Sequence, residues 1–237
     1  MPEQNSDPKS NGKIRVITNM LKTALKLWLK AQVTQVSQIE VEIRASDRQL
    51  LSGKIPWVSI FASHAVYRGL HIGKIQLVAE NIQVNIGSVI KGKPLRLLET
   101  VPVFGELSME EQDLNQSLSS ELLATALNDV LVKLLPEHCT KTKSTAWQKI
   151  ILDTNQIILS GILSSEGEST PIKICLGLQL INAQELQLAP IQIQYDMVVQ
   201  NESNQEHNFD LGPEVDIQEL TLIPGKLLCR GRINVNP

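Results

Sequence analysis

The sequence predicts an α+β fold in which a large antiparallel sheet wraps on a long amphipathic helix. Three observations predict it. Leu, Ile and Val supply 74 of the 237 residues, far above the level at which a chain stays disordered. Segments of two-residue alternation lie on both sides of one block of helical periodicity. The gaps between the first of those segments are too short for crossover helices, so the strands pair antiparallel. The length fits one β-rich domain over residues 13–237, preceded by a tail at 1–12 that is expected to be disordered, with two prolines and no apolar period.

The first element is a basic amphipathic helix over residues 13–31. Ile14, Ile17, Leu21, Ala24, Leu25 and Trp28 recur at three- and four-residue spacings, which stack on one side of a helix. Lys13, Arg15, Lys22, Lys26 and Lys30 are interspersed with them, and no acid occurs between Lys9 and Lys30 although the whole chain carries a net charge of −3. Strands follow. Ile39 to Ile43, Val58 to Ala62 and Ile82 to Ile86 alternate strictly, with Gly69 and Gly73 as punctuation.

Ser108, with Glu111 at capping-box spacing, opens the second helical block. It continues through Leu114, Leu118, Leu122, Leu127, Val130, Leu131 and Leu134 to Pro136, with Ser119 and Ser120 able to divide it. Strand patterns then return at 149–152, 156–163, 172–181, 191–199 and 219–235, the last interrupted at Pro224 and Gly225. Asp153–Asn155 and Ser164–Ser169 are hairpin breaks. A loose echo links Leu50–Ile55, Ile158–Leu163 and Leu228–Ile233, each with a central glycine; glycine within a strand marks a bulge or a close backbone approach.

Composition and motifs exclude more chemistry than they suggest. The acidic balance and eight aromatic residues argue against nucleic acid as a partner. Cys139, Cys175 and Cys229 are too few and too scattered for a disulfide framework, so a reducing compartment is expected. Lysines interrupt the start of the chain, which reads neither as a secretory signal nor as a membrane span. Neither G-x-S-x-G nor G-x-G-x-x-G occurs, and Gly87–Lys93 fails as a phosphate loop because Pro94 stands where a hydroxyl is needed. His64, His71 and His138–Cys139 lack metal-ligand spacing. The six acids between 200 and 219 read as a solvated loop, with a clamp for the basic helix or a calcium site as alternatives. No catalytic residue, metal or cofactor is expected.

Several stretches carry a family resemblance: Asp47–Ile55, Tyr67–Leu70, Val84–Ile86 before Gly92–Pro94, Ser108–Leu118, Gln218–Leu222 and Gly231–Pro237. Together they resemble the LmeA-like phospholipid-binding family. The resemblance implies a tubular lipid-binding type of fold, a curved antiparallel sheet and a long helix enclosing an apolar groove for acyl chains. The groove candidates are then Leu118, Leu122, Leu127, Val130, Leu131 and Leu134 with Ile151 and Ile158 from the following strands. Lys13, Arg15, Lys22, Lys26, Trp28 and Lys30 are the candidates for docking on an anionic membrane, where each basic residue contributes on the order of 1 kcal/mol. The expected function is non-enzymatic binding of a phospholipid or other acyl-chain lipid by a cytoplasmic, peripherally membrane-associated protein. The alternative is a scaffold with a packed core whose basic helix binds an acidic protein.

Overall fold

A computed structural model describes residues 9–89, 91–135, 144–165, 168–195, 198–201 and 207–237, without the side chains of 9–18, 47, 144, 165, 168 and 198–201. The chain begins with α1 (Lys9–Gln32), β1 (Gln38–Arg44), the short α2 (Asp47–Leu51), β2 (Lys54–Tyr67), β3 (Leu70–Gln83), α3 (Ile86–Val89) and β4 (Val101–Glu110). Then come α4 (Glu111–Gln116), α5 (Glu121–Leu134), β5 (Ser144–Asp153), β6 (Gln156–Ser165), β7 (Glu168–Asn182) and β8 (Glu185–Tyr195). Two short strands, β9 (Val198–Asn201) and β10 (His207–Asp210), precede β11 (Val215–Ile223) and β12 (Lys226–Val235).

The strands form two sheets where the sequence reading expects one. The first runs β1-β2-β3-β4-β12-β11; the second runs β10-β8-β7-β6-β5, with β9 also on the β8 edge. All pairings are antiparallel, as the short gaps require. The chain leaves the first sheet after β4, builds α4, α5 and the second sheet, and returns to lay β12 along β4 from Val101↔Val235 to Glu110↔Lys226. The first sheet is therefore built from strands that precede and strands that follow the second sheet in the chain.

The expected long helix is also corrected. Ser108 lies in β4, paired with Lys74 and Leu228. The helical turn starts at Glu111, with a capping box between Glu110 and Asp113. Ser117 stops it: its hydroxyl donates to the Asp113 carbonyl (2.6 Å) and accepts the His71 N–H (2.7 Å), which ties the turn to β3. Ser120 caps a second helix by accepting the Leu123 N–H (3.2 Å), a division the serine pair allows. What remains, α5, has 14 residues.

Each sheet has its own core. In the first, Leu21 and Leu25 of α1 and Leu50 of α2 pack on Val41, Ile43, Val58, Ala79 and Ile82. In the second, Leu127, Leu131 and Leu134 of α5 pack on Ile150, Leu152, Leu159, Ile174 and Ile191. The joint between the sheets is made by side chains that imitate a strand. Asn115 donates to the Ile150 carbonyl (2.8 Å) and accepts the Ile150 N–H (2.9 Å), and Glu111 accepts the Leu152 N–H (2.9 Å). The Gly225 N–H completes the set on the Leu152 carbonyl (2.9 Å). Edge groups of β5 that would otherwise be left unpaired are thus satisfied.

Candidate functional site

The register of the first sheet places one kind of side chain on one face. Three successive rows cross all six strands: Ile43-Val58-Ala79-Val103-Ile233-Val215, then Val41-Ile60-Leu77-Gly105-Gly231-Ile217, then Ile39-Ala62-Ile75-Leu107-Cys229-Leu220. No charged, amide or hydroxyl side chain occurs in them. The reverse face is mixed, with Glu40, Phe61, Gln76, Glu106, Arg230 and Glu219 in one row and Val78 and the exposed Phe104 among Glu42, Ser59, Arg232 and Asp216 in the next. Arg232 pairs there with Asp216 (2.8 Å), and Arg44 with Glu42 (2.9 Å) while lying over the Trp57 ring.

Both ends of the aliphatic face are sealed, the middle is not. Ile43, Val58 and Ala79 are buried beneath α1 and α2, and Met109 and Leu222 are buried in the second core. Between them Ile39, Ile75, Leu77, Ile217 and Leu220 are only half-buried, and Ile233 is 46% exposed. None of these six belongs to either core. The strip of rows that carries these six side chains spans five strand spacings of about 4.8 Å, about 24 Å in all; of its β2 and β4 members, Ala62 is buried and Ile60 and Leu107 pack against the cores.

Two glycines stand at the centre of the strip, each closely approached by a neighbour. Gly105 and Gly231 face each other on β4 and β12. A Cβ on Gly231 would stand 2.5 Å from the Asp216 carbonyl oxygen, at the bulge between Ile217 and Glu219. Only glycine fits there. Over Gly105 the space is taken by Leu77, whose Cδ2 lies 3.2 Å from where a Cβ would be. Gly161 has the same role as Gly231, at the bulge beside Trp147, whereas Gly53 serves a turn at φ +77°. The glycine echo in the sequence thus marks two bulges and a turn.

Cys229 lies in the third row, and burial pushes its thiol above the ordinary cysteine range. A raised pKa leaves less thiolate at a given pH. In a Cys139→Ser/Cys175→Ser background, its alkylation by maleimide at pH 7.5 should be slower than that of a free cysteine, and the rate–pH curve should lie at higher pH. A lipid on this face should slow it further. An ordinary curve, unmoved by added phospholipid, counts against Cys229 facing the ligand.

Of the sequence-derived groove candidates, Leu127, Leu131 and Leu134 come together in the second core, and Leu118 and Val130 pack against it half-buried. Leu122 is 38% exposed. Ile151 and Ile158 pair with each other across β5 and β6, on the face opposite buried Ile150 and Leu159. Missed by the sequence reading are Leu77, Ile217, Leu220 and Ile233; their alternation is visible, but the two parts of the strip meet only at the β4–β12 seam, where Ile233 pairs with Val103 across more than 100 residues.

Of the docking candidates, the Lys13 and Arg15 side chains lie outside the described residues. Trp28 shares no burial with Leu21 and Leu25: it is 45% exposed, beside Met20 (52%) and Leu27 (63%). Lys30 is exposed, Lys22 and Lys26 half-buried. Among the acids of 200–219, Asp216 holds Arg232 and Asp210 accepts the Gly212 N–H (2.8 Å), with Glu202 and Glu206 outside the described residues. Among the described residues no group of three His, Cys, Asp or Glu is placed to hold a metal, and no helix is long and apolar enough to cross a membrane. A polar cavity of about 300 Å³ beside α4, lined by His64, Lys74, Asp113 and Lys226, has no aliphatic wall for hydrocarbon.

Fold and face together define a mostly antiparallel β protein with one continuous aliphatic platform. The family model described as LmeA-like phospholipid-binding matches residues 12–232, nearly the whole chain, and the chain belongs to that family. No curated protein and no solved structure matches it.

Proposed function

We propose that the chain is a non-enzymatic phospholipid binder that lays acyl chains on the open aliphatic strip of its first sheet and docks on an anionic membrane through α1. The observation that carries this reading is the strip itself: five half-buried aliphatic side chains and one exposed one, none of which joins either core. Each methylene removed from water contributes about 0.8 kcal/mol, so a chain laid across the strip is held without any polar contact. For docking, the exposed Met20, Leu27 and Trp28 supply a flank that enters the headgroup level, and Lys30, with Lys13 and Arg15 earlier in α1, supplies charge. A packed scaffold has no use for such a strip.

Two measurements test the proposal. Mass spectrometry of organic extracts from the purified protein should find phospholipid in stoichiometric amounts. Flotation with phosphatidylglycerol liposomes should fall at least about tenfold for the Leu27→Ser/Trp28→Ser/Lys30→Glu variant. Lipid-free protein, or flotation indifferent to these changes, overturns it.

A further inference from the structure

We propose that Lys22 and Lys26 form a phosphate seat at the rim of the aliphatic strip, receiving the anionic group of the lipid whose chains lie there. This rests on the lipid-binding reading above and adds to it the residues that receive the phosphate. The helix α1 lies over the edge strand β1, with Leu21 and Leu25 buried against the sheet. One flank of the helix therefore looks out past the edge, and the other looks in over the sheet.

Exposure tells the flanks apart, and it inverts the usual order. Met20, Leu27 and Trp28 are exposed, whereas Lys22 and Lys26 are half-buried. We place the lysines on the inner flank, the more covered of the two. Four residues apart, their side chains leave the helix about 6 Å from each other, close enough for both to reach one phosphate. Neither makes a hydrogen bond or ion pair among the described residues. The acids of β1 do not serve them: Glu40 and Glu42 are on the opposite face, and Glu42 is held by Arg44. Two half-buried lysines beside an uncharged aliphatic floor leave a place for an anion that arrives with hydrocarbon attached.

The test uses the full chain and displacement of a fluorescent fatty-acyl probe. Competitors are phosphatidic acid and diacylglycerol with the same chains, and inorganic phosphate. The wild-type protein should prefer phosphatidic acid to diacylglycerol by at least about tenfold, and Lys22→Ala/Lys26→Ala should erase that preference while leaving diacylglycerol displacement unchanged. Circular dichroism and thermal melts confirm that the variant is folded; should it fail to fold, Lys22→Gln and Lys26→Gln made singly should each reduce the preference. Equal displacement by both lipids in the wild type, or a preference that survives the lysine changes, overturns the seat while the groove stands. A probe that does not bind at all overturns the lipid reading itself. Lysine-dependent binding of inorganic phosphate without any lipid preference would make this a free-phosphate site and also overturn the proposal.

Discussion

Leu77→Asp and Ile233→Asp, each made singly, should lower the phospholipid recovered with the protein at least about tenfold while changing unfolding free energy by only about 1 kcal/mol. The two effects separate because of where these side chains stand. Leu77 lies over Gly105 at the centre of the strip, and Ile233 keeps 46% of its surface exposed. In the lipid-free chain a carboxylate at either position still reaches water. Under an acyl chain it does not, and an ionised group covered by hydrocarbon either costs several kcal/mol or takes up a proton at a similar cost. Extraction with mass spectrometry reads the first effect and urea titration the second. Unchanged lipid with both variants folded contradicts the placement of the groove.

The opposite pattern is expected in the second core. Ile174 is fully buried at the middle of β7, among Leu159, Ile191 and Ile193 and beneath α5. Ile174→Ala removes methyl groups from a close-packed interior and should cost about 3–4 kcal/mol. For a chain of this length that is a fall of roughly 10 °C in Tm. Lipid bound per folded molecule should not change. If instead acyl chains lay between α5 and the second sheet, this substitution would enlarge their site and alter lipid content, and Leu77→Asp would be silent. Urea titration followed by tryptophan fluorescence, with extraction of the folded fraction, distinguishes the two.

What the sequence made legible follows from range. Strands at Ile39–Ile43 and Val58–Ala62, the hairpin at Asp153–Asn155 and the break before α5 are all local patterns, and all appear in the structure. The division into two sheets is not local. It depends on β12 returning to β4, a pairing across more than 100 residues that no periodicity announces. Ser108 to Glu110 was legible only as a helix start because Glu111 completes a capping spacing; the competing signal, Leu107 and Met109 two apart, belongs to a strand facing the second core. Ile151 and Ile158 illustrate a different obstacle. Ile150 to Leu152 and Ile157 to Leu159 are aliphatic at every position, so either parity satisfies the pattern, and only the helix packed above β5 and β6 decides which side is covered. Trp28 falls at helical spacing from Leu21 and Leu25, yet its position on the flank of α1 leaves it facing solvent.

The most direct test of where lipid lies is covalent. A phospholipid carrying a photoactivatable group in one acyl chain is loaded onto the full protein, irradiated, and the labelled peptides are read by mass spectrometry. Adducts on β3, β11 and β12, at or beside Ile75, Leu77, Leu220 and Ile233, are the predicted result. Adducts confined to α5 and the β5–β6 hairpin would contradict it.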